Sequence, residues 1–178
     1  MAIEHHFYMD TPASRHELRD TLVRADIGVE IAPDWENTSG ASSTATNIVI
    51  LDDLSGRVGR PDNGVVATRG IMFRLRNNKW EGFYTQTVRG IMALLKAYPK
   101  ADAYWEGWDA EVPMLLRRGG RLVLSQALTK PGEFWASERQ PSRVALVDLP
   151  YTVEPIGPWA YVPIEAQGPD HRPRPAAR

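Results

Sequence analysis

The sequence has no cysteine and almost no net charge, with 21 Lys and Arg against 22 Asp and Glu in 178 residues. The first absence removes disulfides, thiolate metal sites and cysteine nucleophiles together, and it fits a reducing compartment. The second leaves no global field that would recruit DNA, RNA or an anionic membrane surface. Long apolar runs are missing as well. No stretch approaches the ~20 consecutive apolar residues that a membrane helix needs, and the start MAIEHHFYMDTP has neither the basic beginning nor the apolar run of a signal peptide. These features lead to the expectation of a soluble, cytoplasmic protein.

What is present suffices for one core without covalent staples, since 43% of the residues are hydrophobic and six are Trp. The expected organisation is a single α+β domain over residues 1–150, an extended strap over 151–166 packed on it, and a disordered tail over 167–178. The tail is rich in proline and offers little to bury against the cost of ordering it.

Residues Ala2–Met9 read as a strand, with Ile3, His5 and Phe7 on one side and Glu4, His6 and Tyr8 on the other. In SRHELRDTLVRA, Ser14 and Glu17 form a capping box ahead of a stripe of Leu18, Leu22 and Ala25, and Thr11 with Pro12 is a competing start one turn earlier. Short strands are expected at Ile27–Ile31 and 46–53, separated by the polar loop PDWENTSGASST. A further strand alternates Ile71, Phe73 and Leu75 with Met72, Arg74 and Arg76. The strongest helix runs roughly Phe83–Tyr98, where Tyr84, Val88, Ile91, Leu94, Leu95 and Tyr98 make a stripe and Pro99 stops it. A strand in ADAYWEGW and a hairpin follow, while 142–149 reads as a strand or a short helix. The expected order is β-α-β-β-β-α-β-β-β, a mostly antiparallel sheet covered by two helices.

The double glycine in VPMLLRRGGRLVLS invites a phosphate-loop reading, but a phosphate loop leads into a helix, and here Arg121–Ser125 is a β-run. Gly119–Gly120 fits a two-residue hairpin turn instead. The turn sets Arg118 opposite Arg121, Leu116 opposite Val123 and Arg117 opposite Leu122. Two opposed guanidinium groups repel mildly, so a nearby carboxylate, a partner surface or water should offset them.

Other constellations carry less. His5 and His6 point to opposite faces of a strand and do not share a metal, and no serine sits in a Gly-x-Ser-x-Gly elbow. Asp10, the pair Asp52 and Asp53, and the group Glu106, Asp109 and Glu111 are the acidic candidates, without a spacing that defines a cleft. YWEGWDAE places Trp105 and Trp108 among three acids, a composition suited to a protein interface and unsuited to a nucleic-acid backbone.

Four segments, AIEHHFYMDTPAS, GIMFRLRNN, RGIMALLKAYPKADA and MLLRRGGRLVLS, together resemble the Sit-type immunity proteins, which protect against contact-exchanged bacterial toxins. The likeness spans roughly residues 2–130. It implies a protein that binds and neutralises a toxin, and it transfers no catalytic residue. The expectation is therefore a non-catalytic protein-binding protein with no cofactor and no metal, whose partner, a cognate toxin, meets Trp105, Glu106, Trp108, Asp109, Arg117, Arg118 and Arg121. Two alternatives stand beside it. One is a small-ligand-binding protein or enzyme with a pocket between sheet and strap, using Asp10, Asp52 or Glu106; the other is a homodimer joined through a sheet edge.

Overall fold

The computed structural model describes residues 4–27, 29–31, 40–43, 46–51, 65–76, 80–107, 113–125, 128 and 143–156. Among these, nine strands form one sheet: β1 (Glu4–Met9), β2 (Val29–Ile31), β3 (Gly40–Ser43), β4 (Thr46–Leu51), β5 (Arg69–Leu75), β6 (Ala103–Glu106), β7 (Pro113–Arg118), β8 (Arg121–Leu124) and β9 (Thr152–Val153). The helices are α1 (Arg15–Arg24) and α2 (Trp80–Ala97), with a 3-10 turn at Arg143–Leu146. The spatial order is β2-β3-β4-β5-β1-β6-β7-β8-β9. Every pairing is antiparallel except that of β8 with β9. The protein is thus α+β, with helices packed on a mostly antiparallel sheet.

The first strand in the chain sits at the centre. β1 pairs with β5 on one side (Phe7 opposite Ile71) and with β6 on the other (Phe7 opposite Trp105). Alternation along β1 decides what each face becomes. His5, Phe7 and Met9 point into the main core, joined by Ile48, Ile50, Ile71, Phe73, Trp105, Leu115, Leu122 and Leu124 from neighbouring strands. Leu18 and Leu22 of α1 and Phe83, Val88, Ile91 and Leu95 of α2 complete that core, so both helices lie on one face. The other face has a small second cluster, Tyr8, Tyr104 and Val65, with Ala67 and Leu116 against it.

α1 starts where the capping box places it. The Glu17 amide donates to Ser14 Oγ at 3.3 Å, and the Ser14 amide donates to Glu17 Oε2 at 2.8 Å. The Ser14 amide, and the Ser14 hydroxyl donating to the same Glu17 Oε2 at 2.8 Å, hold the Glu17 carboxyl below its ordinary range. Thr11 serves the preceding turn instead: its amide donates to Thr68 Oγ1 at 3.0 Å, and that hydroxyl donates to the Thr11 carbonyl at 2.7 Å. Ala25, expected on the buried stripe, is the exposed C-cap, and Thr21 takes the third buried place in the helix. α2 begins three residues before the expected start and packs closely at Gly90, where a Cβ would meet Phe73, Ile27 and Leu22 at 3.1–3.3 Å.

One further difference and two open points are decided by the fold. β3 forms inside the segment read as a polar loop, because pairing with β2 and β4 supplies the ladder that its own residues do not advertise. Residues 143–146 form the 3-10 turn, from which Val144, Leu146 and Val147 pack on the main core while Asp148 pairs with Lys96 of α2. The described start of the strap extends the sheet at its edge: Val123 pairs with Thr152, Leu124 with Val153, and the Glu154 amide donates to the Leu124 carbonyl at 3.1 Å. The rest of the strap and the tail, 157–178, lie outside the described residues.

The hairpin has the register expected from its turn, with Arg118 opposite Arg121, Arg117 opposite Leu122, Leu116 opposite Val123 and Leu115 opposite Leu124. Gly119 and Gly120 take φ of 56° and 82°, left-handed values that match the strand twist. The Gly119 amide donates to Asp102 Oδ1 at 2.8 Å, which ties the turn to the loop before β6. Open space surrounds both glycines, so the conformational penalty alone governs substitution. Gly120→Ala is expected to lower stability by about 1 kcal/mol, and Gly119→Asn to be nearly neutral, as read by urea denaturation.

Candidate functional site

The face turned away from the helices collects the polar side chains. On β1 these are Glu4, His6 and Tyr8; opposite them stand Arg74, Met72 and Gly70 of β5, and His6 and Tyr8 face Glu106 and Tyr104 of β6. Arg74 binds Glu4 through two nitrogens, with Nε to Oε1 at 2.7 Å and Nη2 to Oε1 at 2.5 Å. Glu4 Oε2 lies 3.4 Å from His6 Nε2, and His6 Nδ1 lies 3.0 Å from the Tyr8 hydroxyl. A carboxylate only accepts, so Nε2 carries the proton, and in the neutral ring Tyr8 donates to Nδ1. The result is a continuous line, Arg74–Glu4–His6–Tyr8, which crosses from β5 to β1 and then runs along β1.

Tyr8 stacks on Tyr104 with ring centroids 4.6 Å apart, and Glu106 lies beside the pair. Burial raises both phenols well above the ordinary tyrosine value, and the Glu106 charge pushes the same way. A carboxylate–imidazole–phenol line has the order of a proton relay, but a phenol shifted upward stays protonated near neutral pH and gives up its proton less readily. The arrangement therefore orients Tyr8 without activating it.

Glu106 is 9% exposed, and burial pushes its carboxyl up to about 7. Among the described residues no hydrogen-bond donor or cation is paired with it. His6, its cross-strand neighbour, is already engaged with Tyr8 and Glu4.

The basic hairpin divides in two. Arg118 and Arg121 are exposed at the turn, and Arg121 is answered by Glu154, the offsetting carboxylate, with Thr152 Oγ1 also at 3.5 Å. Arg117 is not a surface residue. It is 4% exposed and points under α2, where Nη1 donates to Leu95 O at 2.6 Å, Nε to Ala101 O at 2.7 Å and Nη2 to Tyr98 O. These include the orphan carbonyls that every helix C-terminus leaves. Desolvation pulls the guanidinium below its ordinary value, and Asp102 pulls it partly back.

The residues expected at a partner surface are therefore scattered. Trp105 is core, 1% exposed, its Nε1 donating to His5 Nδ1 at 3.1 Å between the rings of Phe83 and Tyr84. It cannot anchor an interface, because it is already spent inside the protein. Arg117 is excluded for the same reason, and Glu106 remains only as a nearly buried group at the rim. Arg118 and Arg121 stand at the surface, at the far end of β7 and β8 from Glu106. Trp108, Asp109 and Asp52 lie outside the described residues. Asp10 is exposed, its amide donating to the Asp102 carbonyl at 2.8 Å, and it is not gathered with Glu106. A pocket between sheet and strap is not built by Thr152–Val153, since β7 and β8 separate β9 from Glu106 by about 14 Å of sheet.

Glu4, His6, Tyr8, Arg74 and Tyr104 were not singled out from the sequence. The i, i+2 spacing of Glu4, His6 and Tyr8 does put them on one face, but the arrival of Arg74, Tyr104 and Glu106 beside them depends on pairing across 60 to 100 residues. Among the described residues no group of three or more His, Asp or Glu is placed to hold a metal ion. No family model, curated protein or solved structure matches the chain.

Two outcomes are expected. Arg117→Ala should destabilise the fold by about 3 kcal/mol by orphaning buried carbonyls, whereas Arg118→Ala should change it by less than about 0.5 kcal/mol, both measured by urea denaturation. For Glu106 the folded value of about 7 stands above the unfolded 4.5, so stability is fullest below 4.5 and falls as pH rises to 7. Glu106→Gln should flatten that slope and exceed the parent by about 2 kcal/mol at about pH 8, with little difference at about pH 4, read from the same denaturation curves.

Proposed function

We propose that the chain is a non-catalytic protein-binding protein of the immunity type, which neutralises a cognate toxin by direct binding in the cytoplasm. The observation that carries this reading is the division of labour between the two sheet faces. Both helices and the main core occupy one face, and the other presents the line Arg74–Glu4–His6–Tyr8, graded from exposed Arg74 to buried Tyr8, and Glu106, unpaired among the described residues. Ordered charge and hydrogen-bonding groups beside aromatic area are what a specific protein surface needs. The likeness of the opening strand, middle strand, second helix and hairpin to Sit-type immunity proteins supports the same reading. Among the described residues no helix is long and apolar enough to cross a membrane.

The rival reading, a ligand-binding protein or enzyme, draws on Glu106, whose carboxyl near 7 is poised for general acid–base work. Among the described residues no second reacting group stands beside it, since burial keeps Tyr8 protonated and Asp10 lies elsewhere.

The deciding experiment is affinity capture of a partner from the producing cells, followed by expression of that partner with and without this chain in a sensitive host. Binding with restored growth is expected. A captured partner that is harmless, or whose toxicity this chain does not relieve, overturns the immunity reading.

A further inference from the structure

We propose that Glu106 is the anchor for a cationic side chain, arginine in preference to lysine, presented by the protein that docks on the helix-free face of the sheet. This deepens the binding reading above and rests on it.

The first ground is the state of Glu106 itself. It is nine-tenths buried, and no donor or cation among the described residues is paired with it. An ionised carboxylate taken from water without a partner costs several kcal/mol, and such a group gains much from a counter-ion that arrives later.

The second ground is charge complementarity, read from each element that faces Glu106. On β1, Glu4 is engaged by Arg74, His6 bridges Glu4 and Tyr8, and Tyr8 donates to His6. On β5, Arg74 gives two nitrogens to Glu4, and Met72 carries no charge. On β6 the adjacent same-face residue is Tyr104, a neutral phenol. On β7 the residue opposite Glu106 is Pro113, and Arg118 lies beyond the other end of β6, where Ala103 pairs with Arg117. Residues 65–67, Val-Val-Ala, bring no charge to the cluster. Arg74 thus cancels Glu4, and among the described residues no cation answers Glu106 at the end of β6. A guanidinium answers it best, because it is planar, donates in a fork to both carboxylate oxygens and is more weakly hydrated than an ammonium.

Binding of this kind must be linked to protons. Free Glu106 titrates at about 7, so a cation that requires the ionised form draws the midpoint down, and affinity rises with pH until Glu106 is fully ionised.

The test uses the full chain labelled in its glutamate carboxyl carbons, with Glu106→Gln to assign the Glu106 resonance. Its midpoint is followed by NMR with N-acetylarginine amide, the neutral isostere N-acetylcitrulline amide, and N-acetyllysine amide carrying a free side-chain amine, at constant ionic strength. The arginine probe is expected to lower the midpoint by about one unit, a tenfold coupling, with lysine doing less and citrulline nothing. A midpoint that stays fixed up to the solubility of the arginine probe, or that citrulline moves equally, overturns the proposal. This outcome is separable from the growth test: rescue without an arginine effect means the toxin docks elsewhere, and an arginine effect without rescue leaves the anchor standing for a partner that is not a toxin.

Discussion

β1 is the strand on which the rest of the structure depends. It is paired along both edges, to β5 and to β6, and its six residues alternate between two different environments. His5, Phe7 and Met9 are sealed beneath the helices, while Glu4, His6 and Tyr8 lead from half-exposed to buried on the opposite face. A shift of register by one residue would exchange the two sets, placing Phe7 and Met9 against solvent and two ionisable groups in the core. The register is therefore held by the whole hydrophobic core, and the polar line Arg74–Glu4–His6–Tyr8 inherits its geometry from packing on the side that it does not touch.

The two arginines before the glycine turn show how one register position separates structural from surface roles. Arg117 shares a face with Leu115 and is driven under α2, where a fork of donors meets carbonyls at the helix end and in the segment that follows it. Arg118, one residue on, faces the other way and reaches water. A lysine at 117 has the charge but not the fork, so the chemistry of this cap belongs to the guanidinium shape as much as to its charge. The same logic separates Trp105, locked to His5 in the core, from Glu106, which lies on the far face with no donor or cation paired to it among the described residues.

Periodic signals were legible wherever an element buries a face of its own. The stripe of α2, the Ser14–Glu17 capping box, the alternation of β5 and the turn-fixed register of the hairpin all follow from local rules. β3 was not legible, because Gly40–Ser43 has no apolar alternation and becomes a strand only through its neighbours. Trp105 and Arg117 were misplaced for a related reason: residue type suggests aromatic anchor or solvated cation, and only depth tells which atoms the side chain meets.

By itself the amino-acid order determined which residues share a strand face, the capping box of Ser14 and Glu17, where α2 stops, and that Gly119–Gly120 turns the chain back on itself. Those outcomes rest on interactions within a few residues, which sequence spacing specifies directly. The tertiary structure decided which strand stands in the centre, which arginine is buried, and which charges meet on the helix-free face. Glu106 and His6 are a hundred residues apart in the chain and neighbours in the sheet, and only the closing of β1 between β5 and β6 makes them so. The raised carboxyl of Glu106 comes from burial, which is a property of the folded ensemble of side chains and of no single segment.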